Sequence, residues 1–144
     1  MRRFATELPA ELARAADLAA FLEEAAAALG LSRARRDAIQ LCGEEIFVNI
    51  ALHGAASGPV RVAIALQGDG ATQTLVLDDD APAFDPTAVA EPPEAASLEE
   101  ARAGGRGLLL VRRFSAAQRY ARVGGRNRLE LLFGPAAPGA RGEA

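Results

Sequence analysis

The stretch VRVAIALQGDGATQTLVLDDD (residues 60–80) sets the architecture of this chain. Val60, Val62, Ile64 and Leu66 alternate with small or polar residues, the period of a strand with one buried face. TQTLVLD (72–78) is a second strand-like run, and Gly68-Asp69-Gly70 between the two is a hairpin signal. Strands joined by a tight turn are antiparallel, because a parallel pair needs a long crossover.

Upstream, Ser57-Gly58-Pro59 reads as loop, and a helix is expected from Arg33 to about Leu52, with Ser32 as its cap. A first helix is expected over 10–29, opened by Pro9 and stopped by Gly30. Residues 2–8 have the weak alternation of an edge strand. Downstream, residues 80–104 hold four prolines and read as a long connection of the kind usually kept for function. A short helix at 108–114 and strands at 117–123 and 127–133, joined across Gly124-Gly125, complete one domain over 1–134. Residues 135–144 read as an unfolded Pro/Gly/Ala tail. The expected fold is α+β: a two-layer sandwich with a mostly antiparallel mixed sheet and helices on one face.

Composition removes many functions. The chain has 144 residues, half of them apolar, and a net charge of −3, which argues against a nucleic-acid partner held by bulk charge. One cysteine suits a reducing compartment. The N-terminal MRRFATELPAEL lacks the apolar core of a signal peptide, and no run approaches a membrane span, so a cytoplasmic protein is expected. All sixteen basic residues are arginine. Without lysine there is no Walker A loop, no eukaryotic-type protein-kinase site and no Schiff base. His53 and Cys42 stand roughly 16 Å apart along one helix, too far to pair. Chemistry is left to carboxylates, an amide, arginines and backbone groups.

Three stretches could carry it. In LCGEEIFVNIALH (41–53), Glu45, Asn49 and His53 are spaced i, i+4, i+8 along one stripe of a mostly apolar helix. A solvated stripe explains that spacing as well as oxygen ligands facing a cavity do, although Asn and Glu oxygens suit Mg²⁺. Asp78-Asp79-Asp80 closes the second strand; it is either a solvated turn or a carboxylate placed to accept from an amino group. Gly104-Gly105-Arg106-Gly107-Leu108 opens a helix, where free N–H groups attract phosphate, with Arg102 and Arg106 as flanking donors.

Taken together these stretches resemble the GHKL (Bergerat-fold) ATPases, and among them the anti-sigma-factor serine kinases of bacterial partner-switching systems. Glu44-Glu45-x3-Asn49 with His53-Gly54 is similar to the family's N-box. Asp79-x-Ala81-x-x-Phe84-Asp85-Pro86 is similar to its G1 box, and Gly105-x-Gly107-Leu108 to its G2 box. The strand GRNRLEL (125–131) is similar to the branch's last strand, and the resemblance spans about Arg2 to Phe133. It implies ATP and Mg²⁺ as cofactors. Asn49 would be the metal ligand, Glu45 the catalytic group that orients or deprotonates a serine hydroxyl, and Asp79 the acceptor for the adenine amine. Ala81, Gly105, Gly107 and Leu108 would line the nucleotide, with Arg102 and Arg106 near its phosphates and 87–104 as lid. The implied partner is an antagonist (STAS) domain, together with a sigma factor and a second copy of the chain.

Two departures stand out. Ala81 replaces the first glycine of the G1 box, and Ala83 falls where glycine or proline is usual. If position 81 needs a positive φ or close contact with the nucleotide, a Cβ there costs about 1 kcal/mol or more and would weaken ATP binding without abolishing it. Asp78 and Asp80 are expected to add negative charge near the pocket. The alternative to a kinase is a non-catalytic interaction module. An ATP-binding half of a sensor histidine kinase is set aside, because no helical phosphoacceptor segment with a suitable His lies upstream.

Overall fold

In the computed structural model, which describes residues 1–89 and 106–135, the stretch that opens the argument forms β2 (Arg61–Gly68) and β3 (Gln73–Asp79). They pair antiparallel from Val62↔Asp79 to Gly68↔Gln73. Asp69 closes the turn. Its Oδ1 accepts from the N–H groups of Thr72 (2.9 Å) and Ala71 (2.8 Å), and these bonds hold its carboxyl below the usual range.

β1 (Arg2–Pro9) adds to β2, β5 (Arg126–Phe133) to β3, and β4 (Ala117–Val123) to β5, giving the order β1-β2-β3-β5-β4. Every pairing is antiparallel, so the mixed component expected of the sheet is absent among the described strands. β1 is an edge, as its weak alternation suggested. Among the described residues the helices are α1 (Ala15–Ala28), α2 (Arg33–Leu52) and α3 (Arg106–Phe114). Ser32 caps α2, its Oγ accepting from the Arg35 N–H at 3.2 Å.

One boundary moves. Pro9 does not open a helix but ends β1 opposite Arg61, and a single 3₁₀ turn at Leu12–Arg14 precedes α1. An edge strand tolerates a residue without an N–H, and the Ala10 N–H carries the sheet one bond further, to the Val60 carbonyl at 2.8 Å.

The inner face of the sheet carries Val62, Ile64, Leu66, Leu75, Leu77, Leu129, Leu131 and Phe133. These pack with Leu18, Leu22, Ile39, Ile46, Phe47, Leu108 and Val111 from the three helices. Each large apolar side chain withdrawn from water contributes about 1.5–3 kcal/mol, so this layer drives folding. The other face carries ion pairs: Glu7 with Arg61, Asp78 with Arg126 and Arg128, and Glu130 with Arg119 and Arg128. Surface pairs are worth about 0–1 kcal/mol each; they solvate the face rather than hold it.

The last described strand, β5, ends at Phe133. The expected tail, from residue 136 on, lies outside the described residues, as do residues 90–105 of the long connection. The described part of that connection contains a 3₁₀ turn at Pro86–Ala88, capped by Asp85, whose Oδ1 accepts from the Thr87 N–H at 2.8 Å.

Candidate functional site

Strand alternation separates the three aspartates. Asp78 points to the outer face and pairs with Arg126 and Arg128, while Asp80 accepts from the Arg61 N–H at 2.9 Å. Asp79 alone points inward and is 5% exposed. The negative charge expected near the pocket from Asp78 is therefore on the far side of the sheet and neutralised there.

Asp79 lines a cavity of about 210 Å³. One wall is the C-terminal half of α2, with Ile46, Asn49, Ile50 and His53. The opposite wall is the end of β3, with Leu77 and Asp79, and the segment after it, Ala81 to Phe84 and Pro86. Tyr120, Asn127 and Leu129 of β4 and β5 complete it. The lining is mostly apolar with a few convergent polar groups, the composition of a site for a flat organic ligand. Phe84 stands half exposed at its rim.

The stripe on α2 is divided by the fold. Asn49 and His53 reach the cavity. Glu45, one turn earlier, is half-buried and lies against the start of α3. A Cβ on Gly107 would come within 2.1 Å of Glu45 Oε1, so only glycine leaves the carboxylate its present position. Burial first, and then the charge of Glu45, push the neighbouring Cys42 thiol up to about 12, so this thiol is inert at neutral pH.

At the other end, the segment 79–84 is tied down by hydrogen bonds. Asp79 Oδ1 accepts from the Ala81 N–H (2.9 Å) and from Asn127 Nδ2 (2.9 Å). Arg122 donates to the Ala81 carbonyl at 2.9 Å. Farther along, Arg112 donates to the carbonyl of Val89. Ala81 has no positive φ; among the described residues only glycines do. The backbone strain expected for an alanine there is absent. Its Cβ fits because Gly54 faces it: a Cβ added at Gly54 would lie 3.0 Å from that of Ala81.

Of the residues singled out in the sequence, Asn49, Asp79 and Ala81 meet in one cavity, and Glu45 and Gly107 meet beside it. Leu108 belongs to the core instead and is 5% exposed. Arg106 begins α3, while Arg102 and Gly105 lie outside the described residues. Asn127 and Tyr120 carry a part of the site to which the sequence assigned no role, although Asn127 stands in the GRNRLEL stretch. The available signal was a lone amide on the inward stripe of β5, in register with Leu129, Leu131 and Phe133.

Metal fit follows from the donor: Asn49 offers a hard amide oxygen at the cavity, the kind of ligand Mg²⁺ accepts. Among the described residues no group of three or more His, Cys, Asp or Glu could hold an ion. Among the described residues no helix is long and apolar enough to cross a membrane.

A family model for the histidine kinase-like ATPase domain matches residues 8–133. The chain is also similar to the serine/threonine-protein kinase BtrW of Bordetella bronchiseptica, at 35% identity over 126 residues, covering 87% of this chain and 89% of that protein.

Proposed function

The chain belongs to the GHKL family of histidine kinase-like ATPases, and from that premise we propose that it is an ATP-dependent serine-protein kinase acting on a STAS-type antagonist domain. The observation that carries this reading is the placement of Asn49 and Asp79 on facing walls of one cavity, with Glu45 one helical turn from Asn49. At about 210 Å³ the cavity suits the base of a nucleotide better than the whole of it. Asp79 accepts from the adenine amine, and Asn49 supplies an oxygen to the Mg²⁺ on the phosphates. When bound, Mg²⁺ neutralises charge that develops on the phosphates. Glu45 orients the partner's serine hydroxyl and takes its proton. The serine oxygen forms a bond to the γ-phosphorus, the bond from that phosphorus to the β,γ-bridging oxygen breaks, and ADP leaves with the electron pair.

The relative's printed name, a serine/threonine-protein kinase, supports the reaction class. The partner-switching context is our reading from the resemblance: an antagonist domain as substrate, a sigma factor as the regulated protein, and a dimer as the working form. The lone, buried, inert Cys42 suits a cytoplasmic setting. The rival reading, a module without nucleotide chemistry, drew its force from Ala81 and Ala83; neither has a positive φ, which removes the backbone-strain part of that case.

The test has two stages. Calorimetry with Mg-ATP is expected to give micromolar-range binding; no heat at millimolar nucleotide would favour the interaction module. Incubation with γ-labelled ATP and a candidate STAS domain is then expected to place label on serine, and binding without transfer to any such domain would remove the kinase reading.

A further inference from the structure

Asn127 is 6% exposed and sits at the centre of the least explained part of the cavity. Its Nδ2 donates to Asp79 Oδ1 (2.9 Å), to the Pro82 carbonyl (3.0 Å) and to the Ala81 carbonyl (3.3 Å). Its Oδ1 accepts from the Tyr120 hydroxyl (2.6 Å) and from the Phe84 N–H (3.1 Å). An asparagine amide has two N–H groups and two lone pairs, so this one is saturated. A flipped amide would set its oxygen against three acceptors and its NH₂ against a backbone donor. The orientation is therefore unique, and the Tyr120 hydroxyl must be the donor.

The consequence falls on Asp79. Two donors, from Ala81 and Asn127, hold its Oδ1, which fixes the plane of the carboxylate. Among the described residues no donor reaches Oδ2, which leaves that oxygen to accept from a ligand at the cavity. A fixed acceptor welcomes an amine and repels a carbonyl oxygen at the same position. A carboxylate free to turn would discriminate less, since the cost of the wrong ligand comes from polar groups that cannot rearrange.

We infer that Asn127 is a positioning residue that sets purine choice: it locks Asp79 and the 81–84 wall so that the cavity selects a 6-amino purine over a 6-oxo purine. This rests on the nucleotide-site reading above. It adds a residue on another strand, brought to Asp79 by the β3–β5 register Asp79↔Asn127. Tyr120 is the outer member of the same chain of bonds. Arg122 is the natural contrast, since it holds the same wall through the Ala81 carbonyl without touching Asp79.

The experiment compares dissociation constants for Mg-ATP and Mg-ITP, which carries a carbonyl where adenine carries the amine, at pH 8. Asn127→Asp keeps the acceptors for Tyr120 and Phe84 but removes the donor to Asp79. ATP affinity is expected to fall at least about tenfold, with a smaller loss for ITP, so that the ATP:ITP ratio collapses. The new carboxylate faces that of Asp79 and the pair shares a proton, so part of the change in ratio is electrostatic; Tyr120→Phe, which adds no charge, is read beside it. Arg122→Ala is expected to weaken both nucleotides in proportion and keep the ratio. Should Asn127→Asp not fold, Tyr120→Phe decides, with the ratio expected to drop about two- to threefold. An unchanged ratio in the folded variant that is read overturns the inference while the site reading stands. A wild-type chain that binds neither nucleotide overturns both.

Discussion

The two ends of the cavity are built in different ways. The end near Asn49 and Glu45 comes from one helix, where spacing of four residues places successive side chains on the same stripe. The end near Asp79 comes from three strands and the segment after β3, gathered by Asn127, Tyr120 and Arg122. The first depends on local geometry and could be anticipated from spacing. The second depends on sheet register and exists only once β3 and β5 have paired. A helical end should lose chemistry when altered, and a register-built end should lose selectivity and order.

The largest expected effects fall on the helical end. Asn49→Ala should reduce metal-dependent ATP binding at least about 100-fold by calorimetry, whereas Glu45→Ala should bind ATP normally and lose transfer by about 10²–10⁴-fold. Wild-type transfer by Glu45→Ala would remove that residue from the chemistry. Gly107→Ala comes next: its Cβ would sit 2.1 Å from Glu45 Oε1, so the carboxylate must move. Transfer should fall about tenfold with ATP affinity kept, a split measured as kcat against KM. A variant that instead loses binding would place Gly107 at the nucleotide rather than at Glu45.

The alkaline limb of stability probes the same end. The buried Cys42 thiol is pushed up to about 12 in the folded protein, against roughly 8.5 in an open chain. Between those values the unfolded chain has already lost the proton that the folded one keeps, so stability falls as pH rises. Denaturant midpoints should therefore decline from about pH 9 upward, and Cys42→Ala should flatten that decline. The smallest effect is expected at the register-built end, from Ala81→Gly. Because φ there is not positive, the substitution relieves no strain; it should change the ATP dissociation constant less than about threefold and lower stability by about 0.5–1 kcal/mol. A marked tightening of binding would show that the Cβ itself obstructs the nucleotide.

Much of this molecule was legible before any coordinates. Alternation at 60–78 marked β2 and β3, Ser32 and the run from 33 to about 52 marked α2, and Gly124-Gly125 marked the last hairpin. The misread boundary at Pro9 arose because proline fits a helix start and an edge strand equally well. Asp79 stood between a solvated turn and a placed acceptor, and the fold buries it at the cavity; its neighbours were harder to interpret. Asp78 was expected near the pocket, yet it faces outward because strand side chains alternate.

By itself the sequence determined the element order, the antiparallel pairing within the two hairpins and the candidate oxygens of α2, because these follow from short-range periodicity, turn chemistry and a fixed helical repeat. Only the tertiary structure decided that Gly107 makes room for Glu45, that Ala81 sits relaxed against Gly54, and that Asn127 holds Asp79 from 48 positions away. Those contacts join residues distant along the chain, and their partners are chosen by register and packing, which no local pattern encodes.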